Sequence, residues 1–174
     1  MIRSGVLTEK DHVELLEGWI VPKMPHNPNH AATVDRASEA IRDKLPSGRR
    51  IRLQSAITTE ASEPEPDLTV VLGPAERYSA HHPRSADIAL VIEVSDSSLA
   101  YDRDVKGHVY AKANIPCYWI INLVDRHVEV YGDPSGPTAD ARYQQHQTYG
   151  INERVGLTIA GRQVAEIAAS DLIT

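Results

Sequence analysis

Pro64-Glu65-Pro66-Asp67-Leu68-Thr69-Val70-Val71-Leu72 and, beyond a polar stretch, Ile88-Ala89-Leu90-Val91-Ile92-Glu93-Val94 decide the fold. Leu68 to Leu72 and Ile88 to Val94 are near-continuous apolar runs, the pattern of strands covered on both faces in the middle of a sheet. An acid stands at the edge of each run: Asp67 opens the first behind Pro66, and Glu93 closes the second. Taken alone, Asp67 is a turn acid after a proline. Glu93 is harder to treat as a surface acid, because a carboxylate at the end of a buried strand is costly to desolvate unless it is paired or bound to metal.

Upstream, Val13 to Leu16 and Trp19 to Val21 flank Glu17-Gly18 as a short hairpin, and Pro22 and Pro25 forbid regular pairing beyond it. Between Asn29 and Leu45 the apolar residues Ala32, Val34, Ala37, Ala40, Ile41 and Leu45 recur at helical spacing. This predicts a helix capped by Asn27 or Asn29 and stopped by Pro46-Ser47-Gly48. Ile51, Leu53, Ser55 and Ile57 alternate with polar neighbours, as a strand with one wet face does. Ala61 to Pro66 is an acidic loop leading to Asp67, and Gly73 to Asp87 is a long polar loop with a helical turn.

Downstream, Tyr101 to Ala113 reads as a second helix, with Asp102 as its cap and Val105, Val109 and the stem of Lys112 facing inward. Asn114 and Pro116 end it. Tyr118 to Leu123 and His127 to Tyr131 pair around Val124-Asp125-Arg126; a strand near Tyr143 to Tyr149 and a closing pair near Leu157 to Ile159 and Val164 to Ile167 follow. One strand-helix-strand crossover among these elements predicts an α/β fold with a mixed β-sheet flanked by helices, rather than a doubly wound nucleotide fold. Residues 1–174 make one domain of ordinary size.

Phenylalanine is absent, so the core rests on Val, Ile, Leu and Ala with a few Tyr and the two Trp. Cys117 is the only cysteine; it reads as a small buried apolar residue, and no intrachain disulfide is possible, which favours a reduced cytoplasm. Met1 to Lys10 lack the apolar core of a signal peptide and no run is long enough for a membrane span, so a soluble cytoplasmic protein is expected. A net charge of −6 argues against a broad, sequence-independent DNA footprint. Arg49, Arg50 and Arg52, with Lys44 close by, form a local basic cluster that is either a solvated strand start or a phosphate contact.

The chain lacks phosphate-cradling glycine motifs, HExxH and the GxSxG elbow. What remains is two carboxylates on strand ends with Lys106 in the following helix. Carboxylate oxygens are the ligands Mg²⁺ or Mn²⁺ prefers, such an ion neutralises charge on phosphate oxygens and acidifies water, and a lysine adds a compact point charge. Lys106 is otherwise a solvated helix residue, or packs its stem on Tyr110 one turn later. Glu14 is an assisting or a surface acid. His26 and His30 have a zinc-compatible spacing, but Pro28 interrupts a helix through both and no third ligand is evident. His30 therefore opens the first helix near the site, within reach of substrate. Ser95, Asp96, Ser97 and Ser98 form a capping and turn cluster, with Ser95 able to touch a metal-held water, and His81-His82 sit in a solvated loop.

Glu14-Leu15-Leu16-Glu17-Gly18, then His30, PEPDLTVV (64–71), LVIEVSDSS (90–98) and YDRDVKGHVYAKANIPCYWIINLVDRHVEVY (101–131) together resemble the Uma-type family of restriction endonucleases over nearly the whole chain. That family is similar to the PD-(D/E)xK nuclease superfamily. Its usual lysine, two places after the second acid, would fall at Ser95; the Uma-type pattern moves it to the next helix, matching Lys106. The resemblance implies a restriction-endonuclease-like fold and a DNA phosphodiester hydrolase. It implies Asp67, Glu93 and Lys106 as the catalytic core with Glu14 assisting, and Mg²⁺ or Mn²⁺ held by Asp67, Glu93 and the Val94 carbonyl. His30, Ser95 and Tyr110 would lie towards substrate. Active superfamily members often cut two strands as pairs, so a homodimer is expected. The acidic net charge motivates a second possibility, a non-catalytic binding module that keeps the fold. A Lys106 turned to solvent, far from the acids, would favour it.

Overall fold

The computed structural model describes residues 11–23 and 27–174; the expectations for Met1 to Lys10, Pro25 and His26 lie outside the described residues. The elements run β1 (Val13–Leu16), β2 (Trp19–Pro22), α1 (Pro28–Arg42), β3 (Arg49–Leu53), β4 (Leu68–Leu72) and β5 (Ile88–Ser95). One continuous helical segment follows, α2 (Leu99–Tyr101), a π turn (Asp102–Lys106) and α3 (Gly107–Lys112). Then come β6 (Cys117–Asn122), β7 (His127–Pro134), β8 (Tyr143–Gly150), β9 (Arg154–Ile159), β10 (Arg162–Ala168) and a short α4 (Ala169–Leu172).

Six strands form a mixed sheet in the order β3-β4-β5-β6-β7-β8. Only β5 and β6 are parallel, because the helical crossover returns the chain to the same end of the sheet. Every residue of β5 and β6 is buried, as their apolar runs predict. Side chains alternate between faces. Leu90, Ile92 and Val94 share one core with Val34, Ala37 and Ile41 of α1, Trp119 of β6, and Val155 and Leu157 of β9. Val91 shares the other with Val109, Tyr110, Tyr118 and Ile120. Alternation therefore turns Glu93 towards the face that the crossover helix covers.

The β1–β2 hairpin forms as expected, with Glu17 (φ 49°) and Gly18 (φ 82°) both left-handed at its turn. Asn27 caps α1, its side chain accepting from the His30 amide, and Asn114 is left-handed beyond α3 (φ 56°). Three expectations are corrected. The strand through Ile57 ends at Leu53, because Gln54 takes a left-handed conformation (φ 41°) and breaks the pleat. The first helix ends at Arg42, its last carbonyls bonded by Lys44 and Leu45 in tighter turns. The second helix starts at Leu99, so Asp102 lies inside it instead of capping it. The Gly107 amide bonds to Asp102 across five residues, and that extra residue per turn rotates Val105 outward to 39% exposure while Val109 stays buried. Among the described residues no helix is long and apolar enough to cross a membrane.

Trp119 is the largest fully buried side chain among the described residues and lies in the core that α1 and β9 share with this face of the sheet. Trp119→Ala is expected to lower unfolding free energy by about 3–5 kcal/mol, against about 1 kcal/mol for Asn27→Ala at the helix cap, both measured by denaturant titration.

Candidate active site

β4 and β5 hold their acids together by register. Leu68 pairs with Ile92, so the next residues outward, Asp67 and Glu93-Val94, meet where β4 begins. The Val94 amide donates to Asp67 Oδ2 at 2.9 Å, and the Asp67 amide approaches Glu93 Oε2 at 3.4 Å. In a strand a residue's N–H and C=O point to the same edge, so the Val94 carbonyl faces the Asp67 side as well. His30, in the first turn of α1, places Nε2 3.0 Å from Asp67 Oδ2; since an ionised carboxylate only accepts, the imidazole carries the hydrogen there.

Lys106 is buried at 8% exposure, with Nζ 2.9 Å from Glu93 Oε1 and 3.8 Å from Glu14 Oε1. The same Glu93 oxygen accepts the Tyr110 hydroxyl at 2.5 Å. Glu14 projects from the inner face of β1 and fixes its other oxygen on the Glu65 amide at 3.1 Å. The hairpin that carries it is tethered by Glu17 to Lys112 at 2.6 Å and to the Ser62 hydroxyl at 2.8 Å. Asp102, one turn before Lys106, accepts from the hydroxyls of Ser95 and Ser98, both at 2.6 Å. Glu14, Asp67, Glu93, Asp102, His30 and Lys106 all line one cavity of about 60 Å³, together with Lys23, Asn27 and Tyr101.

Of the residues singled out in the sequence, Asp67, Glu93, Lys106, Glu14, His30 and Val94 converge here. Two are revised. Ser95 is fully buried and spends its hydroxyl on Asp102, and Tyr110 is fully buried and spends its hydroxyl on Glu93, so both orient acids and neither is placed to meet a substrate. Asp102 is the residue that sequence reasoning missed. Its signal was two serines four and seven positions earlier, a spacing that also suits a helix cap.

Four buried carboxylates surround one lysine, and that imbalance governs the electrostatics. Burial pushes the Glu93 carboxyl up to about 8, with Lys106 opposing the shift and Asp67 and Asp102 adding to it. Burial also raises Asp102, against the pull of Lys106 and its serines. Asp67 lies below the usual carboxylate range, because His30, the Val94 amide and Lys106 outweigh its burial. Burial alone would lower Lys106, but Glu93, Glu14 and Asp102 hold it well above the ordinary lysine range, so it stays charged.

The oxygen donors fit a hard divalent cation. Among the described residues no three His, Cys, Asp or Glu side chains form a preformed cage. Mg²⁺ needs none, since it takes one or two carboxylates and keeps several waters. Glu93 Oε2, bonded only weakly by an amide, and Asp67 beside the Val94 backbone offer that number, and the surplus of negative charge favours a cation.

The family model Uma2, described as "Putative restriction endonuclease", matches residues 4–166. The chain belongs to the Uma2 family. No curated protein matches it. A crystal structure titled as a "putative nuclease belonging to DUF820" from Anabaena variabilis superposes with a TM-score of 0.70 at 18% identity, covering 98% of this chain and 94% of that one. The restriction-endonuclease-like mixed sheet is thereby borne out as the fold. In this Uma2 chain Ser95 stands two places after Glu93 and orients Asp102, while the Lys106 ammonium reaches Glu93 from the π turn.

Between its ordinary range near 4.5 and about 8, folded Glu93 retains a proton that the unfolded chain has lost, so its contribution to stability falls as pH rises through that window. In EDTA, wild type is expected to lose on the order of a few kcal/mol relative to Glu93→Gln between about pH 5 and 8, measured by denaturant unfolding. Parallel pH profiles would contradict the assignment.

Proposed function

We propose that this Uma2 chain is a divalent-metal-dependent endonuclease that hydrolyses DNA phosphodiester bonds with an activated water. The observation that carries the proposal is the buried Lys106 set 2.9 Å from Glu93 at the end of the sheet, with Asp67 and Glu14 around the same cavity. A scaffold has no use for a lysine buried among four acids at an opening to solvent. Asp67, Glu93 and the Val94 carbonyl would hold Mg²⁺ or Mn²⁺. Such an ion, when bound, acidifies a water and neutralises charge building on the phosphate oxygens.

The protein's own groups do the rest. Lys106 remains protonated at neutral pH, so it acts as a fixed positive charge on the scissile phosphate or the attacking water and not as a base. Tyr110 and Lys106 together hold one oxygen of Glu93, leaving the other turned to Asp67. His30 and the Val94 amide fix Asp67. Glu14 and Asp102 keep Lys106 charged, Glu14 lying 3.8 Å from its ammonium. Cutting both strands would take two copies of the chain or two visits by one.

With Mg²⁺ or Mn²⁺ present, wild type is expected to nick supercoiled plasmid. Asp67→Ala and Lys106→Ala should each slow nicking by about 10²-fold or more while melting cooperatively. Tyr110→Phe, which keeps the ring in place, should reduce the rate less. Plasmid left intact by wild type with both ions would move the chain to a non-catalytic binding role.

A further inference from the structure

The basic cluster Arg49, Arg50 and Arg52 has no part in the cavity, and its surroundings are unusual. All three lie on β3, the edge strand of the sheet. Ile51 enters the α1 core, so Arg50 and Arg52 share the opposite face, the one that also carries Glu93. Arg77, Arg103 and Arg154 each have a carboxylate in ion-pair contact. Among the described residues no such partner reaches Arg49, Arg50 or Arg52, and the Nε atoms of Arg50 and Arg52 are buried with no hydrogen-bond partner. Thr69, directly opposite Arg52 in the ladder, has a buried hydroxyl with no partner either.

The acids nearby do not relieve this. Asp87 is taken by Arg77 at 2.8 and 3.2 Å, and Glu76 lines a concavity with Arg49 and Arg50 without contacting them as an ion pair. Arg52 lies 5.4 Å from the centre of the Tyr78 ring, which steadies the guanidinium without neutralising it. Burial and the neighbouring Arg50 lower its pKa from the ordinary arginine value. Two like charges side by side and partly desolvated are destabilising in the free protein, and an anion would relieve them.

The patch is aligned with the cavity. Strand residues rise about 3.4 Å each, so Arg50 and Arg52 are roughly 7 Å apart on β3, and Gln54 follows directly beyond the strand's end at Leu53. Gln54 donates its backbone amide to the Asp67 carbonyl at 3.0 Å. We propose that Arg50 and Arg52 form a backbone-phosphate subsite that holds the DNA strand next to the phosphodiester at Asp67 and Glu93. The subsite rests on the nuclease reading above and extends it: in a chain of net charge −6, phosphate affinity is concentrated on one strand instead of spread over the surface.

Fluorescence anisotropy of a labelled duplex, with Ca²⁺ in place of Mg²⁺ and NaCl from about 50 to 200 mM, tests this. Relative to wild type, Arg50→Ala/Arg52→Ala should bind more weakly, with a log–log salt slope shallower by about 1.8 for duplex or about 1.4 for single strand, and Arg50→Lys/Arg52→Lys should keep the wild-type slope. If the alanine pair fails to fold, glutamine at both positions gives the same readout. Unchanged affinity and slope in a folded double variant, while wild type binds, overturns the subsite and leaves the nuclease reading standing; the arginines would then only guard the sheet edge. Wild type that binds no DNA at low salt overturns both.

Discussion

One ammonium group among four buried carboxylates is the constraint on which the rest of this structure depends. Lys106 meets Glu93 at 2.9 Å and Glu14 at 3.8 Å, and its charge is also felt at Asp67 and Asp102. A buried ion pair offsets its desolvation only with good geometry and further hydrogen bonds. Tyr110 supplies one of those bonds to Glu93, and Ser95 and Ser98 supply two to Asp102. Even so the negative charge exceeds the positive, and Glu93 carries the consequence, pushed up to about 8. That surplus of carboxylates over cations is what the proposed divalent-metal site rests on.

The fold is organised around delivering those groups to one end of the sheet. Register between β4 and β5 brings Asp67 to Glu93. The parallel step from β5 to β6 requires a crossover, and its helix covers the Glu93 face. The π turn within that helix sets Asp102 and Lys106 towards the cavity together. A tethered hairpin outside the main sheet contributes Glu14, and the first turn of α1 contributes His30.

Much of this was legible in the residues. The apolar runs bounded by Asp67 and Glu93 marked two central strands, and an acid at the end of a buried run is expensive enough to demand a partner. Periodicity located α1 and the crossover helix; of the two candidate caps for α1 the structure uses Asn27, and Asn114 marked the end of the crossover helix. The phase of the crossover helix was not legible, because a π turn leaves the local composition unchanged while rotating Val105 out. The end of β3 was missed because Gln54 is left-handed without being glycine. The destinations of the Ser95 and Tyr110 hydroxyls depend on tertiary neighbours, so both residues pointed to a substrate in sequence and to acids in the structure. The low total positive charge was a fair argument against DNA binding only while charge was averaged over the chain. The arginines gathered on β3 are the local exception to that average on which the proposed phosphate subsite rests.

Calorimetric titration of the purified protein with Mn²⁺, beside Asp67→Ala, tests the central claim most directly. The account predicts saturable heat for wild type that is lost in the variant while its fold is retained. Heat absent from wild type, or unchanged in Asp67→Ala, would contradict a cation site built on these acids.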